Sequence, residues 1–103
     1  MIYLEIKQTI QPGKMEEYIV TTKDIYPFME KDGYKIIGIW QTMIGNTNEV
    51  TILLAVEDMT QYQKARMTLA QDKEALAIMQ KRTLLINSNS SVMMTPMPIS
   101  PLK

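Results

Sequence analysis

From Glu49 to Val56 the chain reads Glu-Val-Thr-Ile-Leu-Leu-Ala-Val, and no other stretch limits the fold as much. A strand with one face in water alternates apolar with polar residues. Here Val50, Ile52, Leu54 and Val56 fill one parity, while Leu53 and Ala55 make the other apolar as well. Both faces therefore call for cover. Trp40, Leu4 and Ile6 are expected to join the first set. Leaving such a side chain in water forgoes roughly 1.5–3 kcal/mol, so half a dozen amount to something on the order of 10 kcal/mol. That matches the whole stability of a small domain.

The remaining chain supplies only partial cover. Ile2, Leu4, Ile6, Gln8 and Ile10 alternate with Tyr3, Glu5, Lys7 and Thr9, which is strand period, until Pro12-Gly13 stops it. From Met15 the apolar spacing turns helical through Tyr18, Ile19, Thr22, Ile25, Tyr26 and Met29. Pro27 predicts a kink or an end near Tyr26, and Gly33 a stop. Tyr34–Met43 and Glu49–Val56, joined by Gly45-Asn46-Thr47-Asn48, read as a hairpin. Asp58 with Gln61 predicts a capped helix through Tyr62, Ala65, Arg66 and Leu69, and Asp72 re-caps a segment carrying Leu76, Met79 and Arg82. Leu84–Met94 predicts a weaker last strand, interrupted by Asn87-Ser88-Asn89-Ser90-Ser91.

The order β-α-β-β-α-β predicts an α+β, ferredoxin-like fold, a four-stranded antiparallel sheet with its helices on one face. Residues 1–94 form the domain, and 95–103 a tail whose three prolines, Pro96, Pro98 and Pro101, favour an extended path. The uncovered face then needs a second lid. A like sheet from another copy supplies it, giving a homodimer with a shared interior. Met93, Met94 and Met97 suit core filling or an adaptable interface, and the tail is expected to lie along that dimer.

Composition removes whole classes of function. Eleven Lys+Arg balance eleven Asp+Glu, so the basic excess of a nucleic-acid binder is missing. Without cysteine or histidine there is no thiolate zinc site, no Cys nucleophile and no Ser-His-Asp triad. Nothing indicates a metal or a cofactor, so none is expected. The apolar runs are far too short for a membrane span, and the start shows no secretory signal. The expected compartment is the cytoplasm, with no membrane or nucleic-acid partner.

Specific residues carry a family likeness. Ile2-Tyr3, Gln11-Pro12-Gly13-Lys14, the run Gly38-x-Trp40-x-Thr42-x-Ile44-Gly45-x-x-Asn48-Glu49-Val50, and Pro96-x-Pro98-x-Ser100-Pro101-Leu102 together resemble the NIPSNAP family. The resemblance spans nearly the whole chain in order and implies a dimeric α/β barrel. That superfamily also holds cofactor-independent monooxygenases, lactone isomerases and haem enzymes, so the fold does not select the function. Most bacterial NIPSNAP members have no assigned activity, and the animal members are linked to mitochondria and vesicle or mitophagy pathways.

This chain departs from the family pattern in one direction. The family's His, Trp and Tyr after the Asn-Glu-Val motif are Ile52, Leu54 and Val56 here. Glu and Arg positions near the chain start read Leu4 and Ile6, and a frequent helix Arg falls at Tyr62, although Arg66 survives. Polar groups have given way to apolar ones.

The leading expectation is a binding protein for a small apolar or aromatic molecule in the barrel interior, with a pocket lined by Trp40, Thr42, Ile52 and Leu54. Trp40 would stack on a flat ligand and Thr42 would add one hydrogen bond. Asn48 can orient a ligand carbonyl or serve the turn, and Arg66 can meet an acidic ligand or stay solvated. The alternative is a cofactor-independent monooxygenase or isomerase, with Trp40 and Asn48 positioning substrate and a tyrosine moving the proton. A third reading is a protein-interaction module with a packed interior. Glu16-Glu17 and Asp72/Glu74 lie in helix first turns, where carboxylates favour the macrodipole without any metal. No titratable group beyond tyrosine is expected to be perturbed at the pocket.

Overall fold

The structure, a computed structural model, describes residues 1–102. Its elements are β1 (Ile2–Ile10), α1 (Met15–Lys31), β2 (Lys35–Gln41), β3 (Glu49–Val56), α2 (Met59–Gln71), α3 (Lys73–Leu85) and β4 (Ile86–Met94). The strands form one antiparallel sheet in the order β2-β3-β1-β4. This is the ferredoxin-like α+β arrangement, with the second helical segment divided into two.

Asp72 makes that division. Its side chain accepts from the backbone N–H groups of Glu74 (3.0 Å) and Ala75 (3.3 Å), starting α3 one residue after α2 ends. Asp58 likewise accepts from the Gln61 N–H at 2.8 Å, and the Gln61 side chain accepts from the Glu57 N–H at 2.6 Å. Each cap satisfies donors that a helix start leaves without an intrahelical partner.

Two expectations about element ends are corrected. Pro27 does not end α1 near Tyr26, the one of its two alternative effects that the helix bounds decide; α1 continues to Lys31. Pro27 is exposed, so water can reach the carbonyl its missing N–H leaves free, while Phe28 and Met29 just beyond it pack inward. Nor does the Asn/Ser run interrupt β4. It pairs with β1 from Tyr3↔Met94 to Thr9↔Ser88, because ladder bonds come from the backbone and a polar edge strand is well suited to solvent.

Register decides the two faces of the sheet. Leu4↔Leu54, Ile6↔Ile52 and Gln8↔Val50 share the helix-covered face, and Tyr3↔Ala55, Glu5↔Leu53 and Lys7↔Thr51 share the other. On β2 the pairing shifts between Ile36 and Gly38. That bulge at Ile37 adds one residue and turns everything after it over. Trp40 consequently stands opposite Thr51 on the open face, with its ring lying across Gly38, where a Cβ would collide with it. An unbroken strand would have put Trp40 opposite Val50, on the same face as Ile52 and Leu54. The apolar set Val50, Ile52, Leu54 and Val56, with Leu4, is buried under the helices. The open face buries Tyr3 and Ala55 and leaves a smaller, less covered apolar group, Trp40, Leu53, Val92 and Met94.

The buried core falls into two clusters. One lies on the sheet around Leu4, Ile52 and Leu54, with Tyr18, Ala65 and Leu85 packed onto it. The second, Ile25, Leu69 and Ala75, joins the three helices to one another.

Candidate functional site

Between these clusters the helices stand off the sheet and border a half-open chamber of about 660 Å³. Its floor comes from the helix-facing side chains of β1 and β3, among them Leu4, Ile6, Ile52 and Leu54. Leu69 of α2 and Leu76 of α3 contribute to the lining from the helices. No Asp or Glu among the described residues lines it, but Arg66 and Arg82 both do.

A polar cluster stands at the Gln8 end. The Tyr18 hydroxyl donates to Gln8 Oε1 at 2.5 Å, and Arg82 Nη2 donates to the same oxygen at 3.3 Å. Arg82 Nη2 also donates to Thr22 Oγ1 at 3.3 Å, and Thr22 in turn donates to the Tyr18 carbonyl at 2.7 Å. The guanidinium carbon lies 5.0 Å from the Tyr18 ring centroid, a cation–π distance. Arg82 is only 8% exposed, and its Nε–H has no partner. Burial pushes the Tyr18 phenol above its ordinary pKa, against the lowering effect of the Arg82 charge.

Tyr34, Tyr62 and Arg66 also line the chamber, near the opposite ends of the strands. The tyrosine rings meet edge to face at 6.4 Å, and the Arg66 guanidinium lies 5.7 Å from the Tyr62 ring centroid. Burial first, then Tyr62, pushes the Tyr34 phenol up to about 12. The two resolved shifts thus fall on tyrosines, and both run upward, away from what a base at neutral pH requires.

Of the residues singled out in sequence, Ile52, Leu54 and Arg66 meet around this chamber. Trp40, Thr42 and Asn48 do not. Trp40 is turned to the open face and borders a smaller groove of about 260 Å³ beside α1. Thr42 falls just past β2, and its N–H bonds the Glu49 carbonyl at 3.0 Å. Asn48 serves the turn: its N–H donates to Asn46 Oδ1 (3.0 Å) and its carbonyl accepts from the Ile10 N–H (2.8 Å). Sequence reasoning missed Gln8, Thr22 and Arg82 as a group. The available signal was polarity in an apolar register, Gln8 in the β1 alternation and Arg82 three residues after Met79. Among the described residues no group of three acidic side chains could hold a metal ion, and no helix is long and apolar enough to cross a membrane.

The NIPSNAP family model matches residues 3–101. The chain belongs to the NIPSNAP family. Solved structures agree with this assignment. A NIPSNAP family protein from Agrobacterium tumefaciens is 26% identical with a TM-score of 0.86, covering 99% of this chain and 98% of that one. An uncharacterized NIPSNAP domain protein from Burkholderia xenovorans is 22% identical, TM-score 0.86, over 98% and 99%. A putative antibiotic biosynthesis monooxygenase from Nitrosomonas europaea shares the fold at 11% identity, TM-score 0.74, over 93% and 98%. No curated protein matches the chain.

The chamber brings together the positions that the resemblance singled out as apolar, except Val56, which lies outside its lining. Leu4, Ile6, Ile52, Leu54 and Tyr62 all line it. The floor of the chamber is apolar in this NIPSNAP member, and Arg82 supplies a buried charge from α3.

Proposed function

We propose that this NIPSNAP protein binds a small apolar or aromatic molecule in the chamber between its sheet and its helices. The observation that carries the proposal is the space itself. About 660 Å³ within one subunit lies in the range of ligand pockets, with apolar walls and a few converging polar groups. A side-chain-filled interior, as in an interaction module, would be packed at crystal-like density. The enzymatic reading has less support: the upward shifts of Tyr18 and Tyr34 oppose proton abstraction at neutral pH.

Nile red, a neutral solvatochromic dye, tests the proposal in combination with Ile36→Trp. Ile36 borders the chamber. In a packed core the larger ring would cost about 1–3 kcal/mol. Here the variant is expected to melt close to the wild type and to lose most dye binding. Wild-type protein is expected to take up one dye per subunit, with blue-shifted emission. Absence of saturable uptake, together with a sharp loss of stability in Ile36→Trp, would show a filled interior.

We also propose that the open face of the sheet meets the same face of a second copy, related by a two-fold axis. Trp40 is 53% and Val92 55% exposed there, beside Leu53 and Met94. Glu5 and Lys7 alternate on the same face of β1, so an antiparallel copy can set unlike charges opposite one another.

A further inference from the structure

We infer that the molecule held in the chamber is an apolar monocarboxylate whose anionic head pairs with Arg82. This rests on the reading of the chamber as a ligand site and names the ligand's chemistry. A buried guanidinium is costly unless an opposite charge and hydrogen bonds compensate it. Arg82 has the hydrogen bonds only in part and the charge not at all. Its acceptors, Gln8 Oε1 and Thr22 Oγ1, are neutral, and its Nε–H bonds nothing. The Tyr18 phenol cannot serve as the anion, since burial keeps it protonated at neutral pH. The single ion pair among the described residues joins Lys14 to Glu17, on the exposed start of α1.

The surroundings fit a carboxylate on an apolar body. Arg82, Gln8, Met79, Thr83 and Asn89 border both the chamber and a second groove of about 270 Å³ that runs along β4 past Asn87 and Ser88. The charged head therefore has a polar approach, while the chamber beyond is walled largely by aliphatic and aromatic side chains. One carboxylate balances one guanidinium. A phosphate, with charge near −2, would leave excess negative charge buried with no second cation inside the polar cluster. Arg66 does not compete for the role, because it is exposed and hydrated.

Decanoate and decan-1-ol differ in head charge and share a chain length, so calorimetric titration with both separates the two layers of the claim. The wild type is expected to hold decanoate about tenfold more tightly, or better, as a charge-assisted pair allows. Arg82→Gln should bring that ratio close to one, while Lys81→Gln, an exposed cation outside both cavities, should preserve it. Equal wild-type affinities overturn the carboxylate assignment and leave the chamber reading standing; failure of both probes overturns the chamber reading. A preference that survives Arg82→Gln but disappears in Arg66→Gln also overturns the assignment. Should Arg82→Gln fail to fold, the Arg82 Nε–H resonance of the wild type decides. A shift with decanoate but not decanol supports the pairing, and identical positions overturn it.

Discussion

At the scale of single residues, the site is built from polar groups in apolar registers. Gln8 continues the alternation of Ile2, Leu4 and Ile6, and Thr22 the helical spacing of Tyr18 and Ile25. Those positions were legible as inward-facing, and the structure buries all three polar members, Gln8, Thr22 and Arg82. Their convergence was not legible, because Arg82 lies 74 positions from Gln8 and only the tertiary fold brings them together. The tyrosines give the residue scale a pH signature. An unfolded phenol titrates near 10, whereas folded Tyr34 is held up to about 12 by burial and by Tyr62. Between those values the unfolded chain binds fewer protons than the folded one. Stability that is complete below pH 10 is therefore lost progressively as pH rises toward 12. Thermal melts across that window should show a decline that is shallower in Tyr34→Phe; an identical slope in the variant would remove Tyr34 from the account.

Elements were readable where local chemistry sets them. Asp58 and Asp72 cap helices as their spacing predicts, and Pro12-Gly13 ends the first strand. Asp72→Ala is expected to cost about 1 kcal/mol, the usual loss for a cap, with reduced amide protection at the start of α3. Unchanged protection at Glu74 and Ala75 would show that packing alone holds the junction. What sequence could not reveal is the bulge at Ile37. One extra residue in Ile36-Ile37-Gly38 reverses the face of Trp40, and a glycine within a strand run, though it often accompanies a bulge, does not fix where the register shifts. The pocket expected around Trp40, Thr42, Ile52 and Leu54 is split by that reversal, with Ile52 and Leu54 inside the subunit and Trp40 outside. Continuity of β4 through its Asn/Ser run was hidden for a different reason, since its partner, β1, lies at the other end of the chain.

Across the whole molecule, the apolar excess of Val50–Val56 has two destinations. Most of it meets the helices and floors the chamber; Leu53, with Trp40, Val92 and Met94, lies on the other face, where we propose a second copy. Light scattering is expected to give a mass near twice 11.9 kDa, and Leu53→Glu to give a folded single copy. A wild-type mass of one chain would remove the dimer while leaving the chamber, which lies within one subunit. The most direct test of the account is a methyl and indole NMR titration of the wild type with decan-1-ol. Saturable shifts are predicted at Ile36, Ile52, Leu54 and Leu69, with the Trp40 indole still. Shifts centred on Trp40, with those four methyl groups unmoved, would place the ligand on the far side of the sheet and contradict the account.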